Sequence, residues 1–433
     1  MADPNPPRPS TPPAVLPGRP HSIDSPDMRR AGRDLLSLAL IDARNHTLHL
    51  LSLYEKALGS SALPMPAALP DDIEPPVWLA GHIAWFAEWW IARNTQRAFG
   101  VDCPVRPTRL AALDPQADDW WNPQQGTPRT QRTSPDLPDL GQVKAYLLET
   151  LESTLELLDN ASETDGGLYF YRLALFHEDM RGEQLLVMAQ SLGLAIGAEL
   201  PPPAASREPL ALPATRWLLG LPDVGFVFAQ ERGVHEVPVP EFEIDAQPVN
   251  WNQFVEFVDD GGYDRRELWS PAGWQWLEAH DRRAPRHVEQ IGAARPGGGA
   301  VLQRLFGVTM RAAGHQAAMH LTWWEAEAWA RWAGRRIATE VEWEIAAHTA
   351  ARRGFRWGEV QEWTAGTLQP WPGFVPDPWS ADTAYDPRPV LGQARVLRGA
   401  SFATRARMRW PKWRGFALPS RDDGFFGFRT CAV

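Results

Sequence analysis

Residues 173–186, LALFHEDMRGEQLL, set His177 and Glu178 side by side in an amphipathic helical pattern, and LAGHIAWF carries His82 on an earlier helix of the same kind. Donors three or four residues apart share a helix face and can grip one metal ion. Four residues after His177, however, stands Arg181, whose guanidinium stays protonated and repels a cation. The H-E-x-x-H spacing of zinc proteases is therefore not met. Two histidines on separate helices of one bundle can still meet at an inward face, although a lone histidine among apolar residues is more often a satisfied core residue. His46 and His49, three apart in the first helix, and His315 and His320 near residue 320 read as surface or structural.

A second candidate region is the C-terminal run VLRGASFATRARMRWPKWRGFALPSRDDGFFGFRTCAV. Two readings are open. In one, buried arginines such as Arg398 and Arg429 pair with carboxylates such as Glu344 or Asp422. In the other, the run is a pocket wall where an aromatic such as Phe416 faces a cationic group.

The elements that must position these residues fall into two parts. Residues 1–24 are proline-rich without periodicity and read as a disordered tail. Ser25-Pro26 is a helix-start signal, and residues 25–193 carry four amphipathic helical segments: one to about Leu58, one from Pro76 to Gly100, one through GQVKAYLLETLESTLELLDNA, and the His177 helix. With the loop ADDWWNPQQ they make a four-helix bundle, whose sites usually lie between facing helices. Residues 194–215, rich in Pro and Ala, read as a linker. From 216 to 433 long helices give way to short strands and loops, with two short helices opened by the capping boxes Thr322/Glu325 and Thr339/Glu342. The fold class is α+β.

A chain of 433 residues has room for more than one core. The net charge of −10 gives no electrostatic footprint for nucleic acid. No apolar run reaches the roughly 18 residues of a membrane span, and the N-terminus lacks a signal-peptide pattern. Two cysteines, Cys103 and Cys431, support no disulfide framework, so a cytoplasmic location is expected. The 22 tryptophans beside 41 prolines and 34 glycines suit ordered loops packed on a modest scaffold.

The series HLTWWEAEAWARWAGRRIATEVEWEIAAH, EWTAGTLQPWPGF, VLRGASFATR and RDDGFFGFRTCA resembles the C-type-lectin-like domain shared by formylglycine-generating enzymes and ergothioneine-type sulfoxide synthases. The helical part resembles the DinB-type bundle fused to that domain in the synthases. There a GH histidine and two from an H-x3-H-x-E helix hold a non-haem iron. EWWIARNTQRAFG, LYFYRLALFHEDM and GFRTCAV are similar to the selenoneine synthases, which join selenium to hercynine. The resemblance implies iron(II) held by His82 and His177, O2 as oxidant, and hercynine with a selenosugar as substrates. A thiol donor, giving a carbon–sulfur bond, is the alternative. It also implies a trimethylammonium cavity lined by Phe416, with Arg414 and Trp85 beside it.

The chain departs from that pattern at Arg181, which stands where the third histidine is expected, and at Gly415, where relatives carry an amide. Three readings follow: a carboxylate such as Glu88 or Glu183 completes the iron site, the scaffold binds substrate with little turnover, or the chain is a binding module for betaines.

Overall fold

In the computed structural model, residues 16–60, 62–66, 70, 73–134, 136–292, 301–381 and 385–433 are described. Residues 1–15 of the tail lie outside them. Residues 16–24 are not a loose tail: the Gly18 N–H donates to Asp27 (2.7 Å), and the Ile23 carbonyl accepts from Arg407 (3.1 Å).

The helical half is built from α1 (Arg33–Leu58), α2 (Pro76–Ala87), α3 (Ala117–Trp121), α4 (Leu140–Asp159) and α5 (Asp165–Leu192). Ser25 caps as its type suggests, but what it caps is a 3-10 turn, Pro26–Arg30, and α1 starts after Gly32. Asp139 and Gln142 close a reciprocal box at the start of α4. Thr164 caps α5, and Gly193 ends it in the left-handed region at φ 66°, a conformation glycine adopts without a Cβ penalty. The second helix does not run to Gly100. It changes to a π-turn over Glu88–Ala92, where the Arg93 N–H bonds back five residues to the Glu88 carbonyl (2.9 Å). The Glu88 carboxylate then accepts from the Leu113 N–H (2.7 Å) and from the Tyr146 hydroxyl, so the arriving loop ends the helix.

The C-terminal half opens earlier than the linker reading placed it. Leu210–Leu212 already pairs antiparallel with Phe242–Ile244, in a four-stranded sheet completed by Thr430–Ala432 and Arg335–Ile337. A second sheet runs in the order Gly415–Ala417, Arg395–Gly399, Gln361–Thr367, Phe426–Phe428, with only the last pair parallel. Helices α6 (Trp251–Asp259), α7 (Pro271–His280), α8 (Trp323–Trp332) and α9 (Glu340–Thr349) pack around these sheets. Both capping boxes expected for α8 and α9 form. α6 and α7, which the sequence reading did not single out, open on an Asn250/Gln253 box and on Ser270 followed by Pro271.

Buried cations hold the loops. Arg429 pairs with Glu362 (2.5 and 2.7 Å) and donates to the carbonyls of Asp245 (3.0 Å) and Arg356 (2.6 Å). Arg398 reaches Glu344 (3.1 Å) and Glu340 (3.2 Å). The arginine-pairing reading thus holds for Arg398 with Glu344, whereas Asp422 serves Arg282 and Arg286.

The two halves share one apolar core, in which Phe176 of α5 meets Phe226 and Phe228. Polar clasps also cross the junction. Arg29 pairs with Glu231 (2.6 Å), Asp179 with Arg407 (2.6 Å), and Glu183 accepts from Ser401 (2.7 Å) and Thr404 (2.9 Å).

Candidate functional site: two histidines beside an aromatic and arginine-walled cavity

Consecutive residues of a helix point about 100° apart, and α5 uses this at its centre. His177 faces α2, Glu178 turns to α1 to meet Arg44 (2.8 and 3.1 Å) and Thr47 (2.8 Å), and Asp179 faces Arg407. The ring centroids of His82 and His177 are 5.4 Å apart. His82 is stacked between Trp78 (5.3 Å) and Trp85 (5.5 Å), and His177 lies flat against Phe86 (3.7 Å).

The His82 Nδ1 bonds the Trp121 carbonyl at 3.0 Å. A carbonyl only accepts, so the proton sits on Nδ1 and Nε2 keeps its lone pair. Gly81 makes this contact possible: a Cβ there would lie 2.6 Å from the Trp121 ring. Burial first, then the charge of Arg181, lowers the His82 pKa to about 3, and the same causes hold His177 well below the ordinary imidazole range. Both rings are neutral at physiological pH.

Arg181 closes this pair. Its Nε–H donates to His177 Nε2 (3.3 Å), its Nη1 to Gln184 Oε1 (2.6 Å), and its guanidinium lies 4.9 Å over the Tyr385 ring. The nitrogen that would bind a metal from His177 already accepts a hydrogen bond. The substitute carboxylates are committed elsewhere, Glu88 to Leu113 and Tyr146, Glu183 to Ser401 and Thr404. Among the described residues no group of three or more His, Cys, Asp or Glu is placed to hold a metal ion. The three-donor iron site implied by the resemblance therefore does not fit the side chains of this chain.

His82 and Arg181 border a cavity of about 750 Å³ at the junction of the two halves. Its aromatic lining includes Trp78, Trp85, Trp89, Trp379 and Tyr385. Six arginines also line it (Arg106, Arg109, Arg129, Arg132, Arg181 and Arg421), against one lining carboxylate among the described residues, Glu74. Glu74 pairs with Arg129 and Arg132, and Arg421 pairs with Asp423. Arg109 lies 3.8 Å over Trp89, and burial, with Arg93 nearby, lowers its pKa to about 10.

Of the residues singled out from sequence, His82, His177 and Trp85 come together here. Trp85 lines the cavity and donates its indole N–H to Asp118 (2.8 Å). Phe416 and Arg414 do not join them. Phe416 lies in strand Gly415–Ala417 and packs on Leu368, Ala394 and Val396. Arg414 is buried, bound to both Glu340 oxygens (2.9 and 3.1 Å) and stacked 4.1 Å over Trp371. Sequence reading missed Trp78, Trp379, Trp121 and Gln184. Trp78 and Gln184 carried a local signal, Trp78 four residues before His82 on one helix face and Gln184 three residues after Arg181 on another.

The chain is thus α+β, with a helical half, a C-terminal half of small sheets, and a junction cavity beside paired histidines. Residues 207–359 match the family model for the sulfatase-modifying factor enzyme 1-like domain. The hercynine oxygenase of Mycolicibacterium smegmatis is 30% identical over 92% of this chain and 98% of its own length. That of Mycobacterium tuberculosis is 28% identical over 91% of this chain and 97% of its own length. The formylglycine-generating enzyme of Streptomyces coelicolor is 28% identical over 55% of this chain and 96% of its own length. The chain belongs to the hercynine oxygenase family. Among the described residues no helix is long and apolar enough to cross a membrane.

Proposed function

We propose that this protein takes hercynine, or a betaine of the same trimethylammonium, imidazole and carboxylate make-up, into the junction cavity and acts in hercynine-related oxidative chemistry of the ergothioneine type. The observation that carries this reading is the tryptophan-walled cavity bordered by His82. A quaternary ammonium has no proton to donate and is held best by aromatic faces, and Trp85 and Trp379 offer such faces. His82 Nε2 is an acceptor for a ligand N–H, because its own proton is held at Nδ1 by the Trp121 carbonyl.

The similarity of the helical motifs to selenoneine synthases favours a selenosugar as co-substrate and a carbon–selenium bond to the imidazole. A thiol, giving a carbon–sulfur bond, is the alternative. Both chemistries use O2 and, in the family the motifs resemble, iron(II). Since Arg181 occupies the third donor position, no step is drawn through the metal. The Arg181–His177 hydrogen bond favours a second reading, a family member that binds the betaine with little turnover.

The test is iron content after anaerobic reconstitution of this chain and of Arg181→His in parallel, followed by hercynine-dependent O2 uptake with each donor. About one iron per chain and O2 uptake in the unaltered protein would establish the catalytic reading. Iron and uptake only in Arg181→His would establish the binding reading. Absence of hercynine binding to either protein would sink both.

A further inference from the structure

Arg181 presents a charge problem that its surroundings leave open. The guanidinium borders the cavity beside two buried imidazoles, and no carboxylate among the described residues pairs with it. The nearest acids of α5 face away: Glu178 is bound by Arg44, Asp179 by Arg407, and Glu183 by Ser401 and Thr404. A partly buried cation without a counter-ion is unfavourable unless a ligand supplies the charge.

Two of its nitrogens are engaged, Nε with His177 and Nη1 with the Gln184 oxygen. Nη2 remains. Since the Gln184 oxygen is turned to Arg181, its amide N–H2 group faces the other way, and Gln184 also lines the cavity. The nearby arginines reinforce the sign of the field, because Arg106 and Arg109 have no carboxylate partner among the described residues. Neutral His177 acts here as an acceptor that fixes the plane of the guanidinium, much as a carboxylate orients a ligating histidine elsewhere.

Resting on the betaine reading above, we infer that Arg181, steadied by His177 and Gln184, is the anchor for the carboxylate of the cavity ligand, so that an organic anion binds where the family resemblance places a metal. The ligand is then recognised at both charges of its betaine carbon: its quaternary ammonium by tryptophan faces, its carboxylate by a guanidinium. No bond is made or broken in this step.

The experiment is a titration followed by tryptophan fluorescence and calorimetry on the full chain without added metal. The probes are hercynine and its decarboxylated counterpart, N,N,N-trimethylhistamine. A charge-assisted hydrogen bond in a partly buried site predicts that hercynine binds about 10- to 100-fold more tightly. Arg181→Met should remove that preference, and Arg181→Lys should restore part of it. Equal affinity of the unaltered protein for both probes would overturn the anchor while leaving the aromatic recognition intact. A carboxylate preference that survives in Arg181→Met overturns it as well. Failure of both probes to bind the unaltered protein overturns the anchor and the betaine reading together. The comparison of probes uses the unaltered chain, so the inference can be rejected even if a variant does not fold.

Discussion

In the helical half, α1 and α5 satisfy their backbones through their own ladders, and Arg44 and Glu178, buried between them, pair with each other. In the C-terminal half, buried cations place one arm on a carboxylate and the others on carbonyls of loops and strand ends. Lys412 joins Glu344 (2.6 Å) to the carbonyls of Leu218 (2.9 Å) and Gly220 (3.3 Å). Arg414 joins Glu340 to the Gln369 carbonyl (3.1 Å). Irregular backbone carries donors and acceptors that must still be met when buried. Guanidinium and ammonium groups do in the loops what helical periodicity does in the bundle. Arginine in one half is therefore architectural, whereas in the cavity wall Arg106, Arg109 and Arg181 have no carboxylate partner among the described residues.

The largest expected effect tests this directly. Arg429→Met leaves Glu362 buried without its partner and two loop carbonyls without donors, and should cost about 3–5 kcal/mol in urea unfolding. Arg44→Met also strands buried Glu178, but Thr47 still donates to that carboxylate, so the loss should be smaller. An equal or larger loss in Arg44→Met would break the comparison.

Next in size is the clasp between the halves. Asp179→Asn removes the charge facing Arg407 and should lower stability by about 2 kcal/mol. Differential calorimetry should then resolve two transitions where the unaltered protein shows one. A single, merely shifted transition would mean that the shared apolar core alone couples the halves.

Both halves should lose stability in acid. Burial lowers the pKa of His46 in the bundle, and of His320 and His348 in the C-terminal half, from 6.5 to about 4. The unfolded chain therefore takes up these protons first as pH falls. The stability they contribute is complete above pH 6.5 and is lost as pH drops towards 4, by up to about 1.4 kcal/mol per pH unit for each histidine. Thermal midpoints measured from pH 7.5 to 5 should fall, and less steeply in both His46→Gln and His320→Gln. A midpoint that rises on acidification would contradict the sign.

The smallest effect is a control that should not distinguish the halves. Asp139→Ala on α4 and Thr322→Ala on α8 each remove a capping box and should each cost about 1 kcal/mol in chemical denaturation. Unequal losses would show that tertiary contacts compensate a cap in one half and not in the other.

The reach of the sequence can be followed residue by residue. α4 and α5 were legible to within a turn because period and caps agree along the chain, whereas the start of α1 was read about two turns early, at the Ser25 cap of a 3-10 turn. The second helix was misread past Ala92 because its end is set by the Leu113 N–H and the Tyr146 hydroxyl on Glu88, both far away in sequence. The paired histidines were legible as positions on two helix faces. That they meet at 5.4 Å follows from the packing of α2 against α5. Phe416 and Arg414 were misplaced because a loop-rich run gives no phase: pairing with Val396 and with Glu340 decides where they point.

By itself the sequence determined the α+β class, the helix faces that carry His82 and His177, the caps, and the substitution at Arg181. Those are local properties, set by residue type and spacing within a few turns. Only the tertiary structure decided that Arg181 donates to His177, that the Trp121 carbonyl selects the His82 tautomer, and that Trp379 and Tyr385 wall the same cavity as α2. Such contacts depend on how faces from different elements are brought together, and that geometry is fixed by packing across the whole chain.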